Sequence, residues 1–102
     1  MQPIIEERMP QLRELCRRYH VARLDVFGSA VSEQFDADRS DLDFVVEYLP
    51  VPAAMTMDAY FGFKEALEHL FGREVDLVER AAVRNPYFKE ELDETQVAVY
   101  AA

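Results

Sequence analysis

Two aspartates flank a single leucine in Asp41-Leu42-Asp43, at the head of a run through Val46 whose branched and aromatic residues suit a buried strand. Strand side chains alternate between faces, so Asp41 and Asp43 project together, about 6.5 Å apart along the backbone, while Leu42, Phe44 and Val46 take the other face. Glu74-Val75-Asp76-Leu77-Val78 repeats the device, with Asp76 directed away from Val75 and Leu77. If the two strands are neighbours, Asp41, Asp43 and Asp76 converge. Carboxylates held this close raise one another's pKa and destabilise the fold unless a cation intervenes. Mg²⁺ suits them, because it prefers oxygen donors, takes only a few from protein and completes its shell with water and substrate phosphate. Two such ions would activate an incoming oxygen and stabilise a leaving pyrophosphate in an in-line displacement. Asp41, Asp43 and Asp76 are therefore the candidate catalytic and metal-binding residues.

The other half of such a site must hold phosphate. Gly28-Ser29 stands where a strand turns sharply, and a glycine there lets the backbone approach a ligand while amides and a hydroxyl face an anion. Gly28, Ser29, Arg39 and Ser40 are the candidate residues for binding a nucleoside triphosphate. Arg39 has two readings: it pairs with Asp38 on the surface, or it reaches a phosphate. Among cations elsewhere, Arg73, Arg84 and Lys89 could contact phosphates, and the sequence does not choose among them.

Positioning these groups requires a regular frame. Ile5, Met9, Leu12, Cys16 and Tyr19 recur at helical spacing and predict an amphipathic helix to about His20, with a kink or late start at Pro10. Val21 to Phe27 reads as a strand ending at Gly28, followed by a polar, acidic loop to Ser40 and then the Asp41–Val46 strand. After Pro50 and Pro52, a second helix from about Ala54 carries Tyr60, Phe63, Leu67 and Leu70 to a stop at Gly72. Glu74 to Val78 is the third strand. Asn85-Pro86 has the form of a cap and first helical position for a third helix through Phe88 and Leu92, and Gln96 to Tyr100 alternates as an edge strand. The expected fold class is α/β (α+β): a short mixed sheet with helices packed on one side, in a single domain spanning 1–102.

The bulk properties narrow the partners. With 102 residues, half of them hydrophobic, the chain can build one core. Its 11 Lys and Arg against 20 Asp and Glu give a formal charge of −9, which repels nucleic-acid backbones and anionic membranes. No direct nucleic-acid or membrane partner is expected. A lone Cys16 precludes an internal disulfide, no apolar run approaches the roughly 20 residues that span a bilayer, and a reducing cytoplasm is the expected compartment.

Phe27-Gly28-Ser29-Ala30-Val31 followed by Arg39-Ser40-Asp41-Leu42-Asp43-Phe44-Val45-Val46 resembles the Gly-Ser…Asp-x-Asp signature of DNA polymerase β-like nucleotidyltransferases. With Glu74-Val75-Asp76-Leu77-Val78, Asn85-Pro86-Tyr87 and Val99-Tyr100-Ala101, nearly the whole chain looks like the minimal nucleotidyltransferase branch of that superfamily. The resemblance implies the nucleotidyltransferase fold, Gly28 and Ser29 at the triphosphate, and Asp41, Asp43 and Asp76 at Mg²⁺. It also implies an antitoxin that transfers AMP from ATP onto a tyrosine of a HEPN-domain ribonuclease toxin, hetero-oligomeric with that toxin, with a homodimer as the alternative state of the protein alone. Many members carry Arg-Gly shortly after Gly-Ser, where this chain has Ser32 and Glu33. A non-catalytic antitoxin that acts by binding only is the alternative function.

A calcium site was the other reading of the acidic stretch. Asp36, Asp38, Ser40 and Glu47 match the ligand spacing of an EF-hand loop, but Asp41 falls where that loop needs glycine, and strand-like sequence replaces the flanking helices. His20 and His69 lie at helix ends, where an imidazole suits the dipole, and Cys16 continues an apolar stripe.

Overall fold

A computed structural model describes residues 3–28, 41–50 and 52–102, without the side chains of residues 53, 54 and 56. The first helical segment is broken where Pro10 demands it: α1 covers Pro3–Glu6 and α2 covers Met9–Arg18, with the proline in the first turn, where its missing donor costs nothing. Strand β1 (Val21–Phe27) follows, then β2 (Leu42–Tyr48), α3 (Ala53–Phe71) and β3 (Val75–Glu79). A 3₁₀ turn over Arg80–Ala82 leads to α4 (Pro86–Thr95) and β4 (Val97–Ala101). Gly72, at φ 64°, ends α3 in the left-handed conformation that glycine adopts at least cost. The Asn85 side chain caps α4 by accepting from the amides of Tyr87 and Phe88, at 2.9 and 3.3 Å.

The strands form one sheet in the order β3-β2-β1-β4. β1 is antiparallel to both of its neighbours, whereas β2 and β3 are parallel, so the sheet is mixed as expected. That parallel pair requires a crossover, and α3 supplies it. Leu24 and Val26 of β1, Leu42, Phe44 and Val46 of β2, and Val75 and Leu77 of β3 turn to one face. There they meet Ile5, Leu12 and Cys16 of the first two helices and Phe63, Leu67 and Phe71 of α3 in one buried cluster. At about 25 cal/mol per Å² of apolar surface removed from water, this layer is the main source of stability. Cys16 has the environment its place in the stripe predicts: burial pushes its thiol up to about 12, which leaves it an inert core residue.

The helices do not all share that face. α1 to α3 do, but α4 crosses to the opposite one, which corrects the expected one-sided packing. The reason lies in the alternation of β1 and β2, which sends Phe27 and Val45 to the second face, where they also need cover. Phe88 of α4 sets its ring edge-on to Phe27 with centroids 5.9 Å apart, and Leu92 one turn later is buried. The carboxylates Asp43 and Asp76 alternate to this same face. The sheet thus has a dry side of helices and a second side that α4 only partly covers.

Candidate active site

Asp43 and Asp76 are brought together by register. In the parallel pairing of β2 with β3 they are direct partners, and in the antiparallel pairing Asp43 lies opposite Phe27, the residue before Gly28. The register sets the two carboxyl groups side by side, near enough for Asp76 to act on Asp43. Burial first, then side-chain hydrogen bonding with Asp76 and the negative charges of Asp76 and Asp41, push the Asp43 carboxyl up to about 6. Asp41 sits immediately before β2, exposed, two positions from Asp43 and close enough for its charge to be felt there. The expected convergence is therefore tight for Asp43 and Asp76 and looser for Asp41. Among the described residues, no group of three or more His, Cys, Asp or Glu stands close enough together to hold a metal ion by itself.

Gly28 belongs to the same site by contact. It has φ 69°, and a Cβ built on it would stand 2.4 Å from Asp43 Oδ2. A glycine is needed here both for the backbone conformation and to leave room for the carboxylate. Ser29, Arg39 and Ser40, together with Ser32 and Glu33, lie outside the described residues. So do Asp36 and Asp38 of the calcium reading, but its last ligand can be judged: Glu47 lies inside β2, and its Oε1 is 3.6 Å from Arg80 Nε. Strands β1 and β2 stand where an EF-hand would have helices, which removes that reading.

Sequence reasoning missed a polar network beside the carboxylates. Asp25, on the same face of β1 as Phe27, is fully buried, and its carboxylate accepts from Arg23 Nε at 2.8 Å and Arg80 Nη2 at 3.3 Å. Arg80 also donates to Asp93 of α4 at 3.4 Å and to Gln96, and so ties β1, β2 and the exit of β3 to α4. The available signal was a charged residue inside the apolar strand Leu24-Asp25-Val26, which implies a buried cation partner without naming it. Because a buried carboxylate is costly when a partner is removed, Arg80→Met is expected to lose about 2 to 4 kcal/mol of stability, read as a lower urea midpoint with an unchanged slope.

A concavity among the described residues lies elsewhere. A cleft of 870 Å³ between α2 and α3 is lined by residues such as Leu15, Tyr19, Gly62, Ala66 and Leu70, on the side of the sheet away from Asp43 and Asp76. No helix among the described residues is long and apolar enough to cross a membrane.

Comparison with known proteins gives a consistent result. The model of the nucleotidyltransferase domain family matches residues 9–98. The protein adenylyltransferase MntA of Thermococcus cleftensis is 33% identical over 82 residues, which cover 80% of this chain and 79% of that protein. Among solved structures, a protein described as a minimal nucleotidyltransferase superposes with a TM-score of 0.73 at 28% identity, covering 91% of this chain and 90% of its own. A complex of a tri-AMPylated HEPN toxin of Shewanella oneidensis with its MNT antitoxin contains a chain that superposes with a TM-score of 0.65, covering 95% of this chain and 72% of that one. At 14% identity, that last likeness concerns the fold alone. A mixed sheet that opposes two aspartates beside a strand-ending glycine, and a family match over residues 9–98, place this chain in the nucleotidyltransferase domain family.

Proposed function

We propose that this chain transfers AMP from ATP to a tyrosine of a partner HEPN-domain ribonuclease toxin, and so acts as the toxin's antitoxin in the cytoplasm. The observation that carries the reading is the direct opposition of Asp43 and Asp76 beside Gly28, with Asp41 at the mouth. Family membership supports nucleotidyl transfer, and the names of the relatives support adenylyl transfer and the toxin partner.

The donor set fits Mg²⁺. Asp43 and Asp76 are hard oxygen donors set side by side, where their like charges call for a cation, and Mg²⁺ takes only a few ligands from protein and fills its shell with water and phosphate. Asp41, Asp43 and Asp76 would hold it, and when bound it would polarise the phosphate and lower the pKa of the attacking hydroxyl. The chain's own contribution is positional: β2 and β3 fix the carboxylates by register, and the Gly28 turn lets the triphosphate lie against the backbone. In the transfer, the tyrosine oxygen forms a bond to the α-phosphorus and the bond from that phosphorus to the bridging oxygen breaks. Pyrophosphate leaves with the electron pair, and the phenolic proton passes to water.

The described residues form no second lobe beside the site, so the acceptor hydroxyl comes from another molecule. A charge of −9 steers the chain toward a basic surface, and an RNA-cutting enzyme needs such a surface to hold phosphates. AMP added there brings negative charge and repels RNA. Intact mass spectrometry of the toxin after incubation with this protein, ATP and Mg²⁺ is expected to show gains of one or more AMP groups. An unchanged toxin mass in a stable complex would leave an antitoxin that acts by contact alone.

A further inference from the structure

We propose that Lys89 is a substrate-contacting residue of the site, holding the β- or γ-phosphate of the triphosphate from the α4 side. The assignment rests on the adenylyl-transfer reading and adds to it a cation from outside the motif, on α4. A site built from three aspartates in a chain of charge −9 must find positive charge for the terminal phosphates, which the leaving pyrophosphate carries away. On the carboxylate face the described cations are few. Arg23 and Arg80 are both engaged with the buried Asp25. Arg84 and Lys89 are exposed, and neither has an ion-pair partner among the described residues.

The contacts of α4 fix which way Lys89 looks. Phe88 rests on Phe27 and Leu92 is buried, so that row of the helix faces the sheet. Asp93 meets Arg80, which leaves the end of β3 and also reaches Glu47 of β2. The flank carrying Asp93 is therefore the one turned toward β2 and β3. Residues four apart share a helix face, so Lys89 occupies this flank one turn before Asp93. That turn lies beside Phe88, at the end of β1 where Phe27 opposes Asp43. Helical side chains lean toward the N-terminus, which carries the Lys89 stem further toward the carboxylate end of the sheet. A flexible stem whose ammonium has no ion-pair partner among the described residues, on the flank of α4 turned toward the carboxylate end of the sheet, has the chemistry of a phosphate clamp.

Calorimetric titration of the intact protein with ATP in the presence of Mg²⁺ tests this without the toxin. Lys89→Met is expected to weaken ATP binding about tenfold, the loss of one charge-assisted contact, with an unchanged melting temperature, and Lys89→Arg is expected to stay within about twofold of wild type. Lys64→Met, on α3 across the sheet, controls for net charge and is expected to bind normally. ATP affinity in Lys89→Met within twofold of wild type overturns the assignment, as does an equal loss in Lys64→Met. Selective loss in Arg84→Met instead overturns it and moves the clamp to Arg84. If the wild-type protein itself shows no Mg²⁺-dependent ATP binding, the adenylyl-transfer reading falls together with Lys89, whereas normal wild-type binding with an unaffected Lys89→Met removes only Lys89.

Discussion

Asp43→Asn abolishes AMP transfer and, in the metal-free protein near neutral pH, makes the fold more stable. The first effect is expected to reach about a thousandfold or more, because on the proposed function Asp43 would hold the cation, and its loss forfeits several kcal/mol of transition-state charge stabilisation. The second follows from the carboxyl's environment. Burial, the bond to Asp76 and the neighbouring charges raise its pKa to about 6 in the folded chain, above the ordinary aspartate value of 3.8. A raised folded-state value means that the contribution of this group is fully present below about pH 4 and is lost as pH climbs through 6. Asparagine keeps a donor for Asp76 and never ionises, so the variant escapes that loss. Discounted for partial solvent screening, the advantage is about 1 kcal/mol at pH 7.5 and vanishes near pH 4. Paired melting curves at the two pH values check it, and a variant less stable than wild type at pH 7.5 would make Asp43 a structural residue.

Gly28→Ala is expected to cost about a hundredfold in transfer with only a modest loss of stability. Placing a Cβ at φ 69° costs about 1 to 2 kcal/mol by itself. The added carbon would also meet Asp43 Oδ2 at 2.4 Å, so the carboxylate must move away from its place opposite Asp76. A displacement near 1 Å at a reacting centre is worth about two orders of magnitude. Gly72 provides the matched control, with φ 64° and nothing within 4 Å of a built Cβ. Gly72→Ala should lose similar stability and keep full activity in the mass-shift assay. Equal activity losses in the two alanine variants would show that strain, not the encounter with Asp43, is responsible.

The carboxylate pair was legible because alternation in a strand is local: Asp43 must point away from Leu42 and Phe44, and Asp76 away from Val75 and Leu77. That the two face each other was a conditional inference, since it depends on β2 and β3 pairing in parallel across α3, and no short window of sequence contains that fact. Pro10 and Gly72 announced their helix ends through backbone chemistry, and Asn85 through its capping side chain. The side of the sheet taken by α4 was not readable. Its apolar signal amounts to Phe88 and Leu92, and the residue that Phe88 meets, Phe27, lies in a distant strand. Asp25 and Arg80 escaped for the same reason, because an ion pair between residues so far apart in the chain leaves no spacing pattern.

The position of β4 has a consequence for how the protein is made. Strand β1, which runs into Gly28, lies between β2 and β4, and about three quarters of the chain separates Arg23 from its partner Ala101. Pairings between such distant segments form slowly, since a long loop must close before any contact rewards it. During synthesis, the helices and the β2-α3-β3 unit can condense early, while one edge of β1 stays open until β4 is delivered. An open edge next to an apolar strand is the region most prone to pair with the wrong neighbour. The strand that runs into Gly28 thus completes its pairing only after β4, downstream of every other described element, is in place, and the sheet is expected to close in a late, cooperative step.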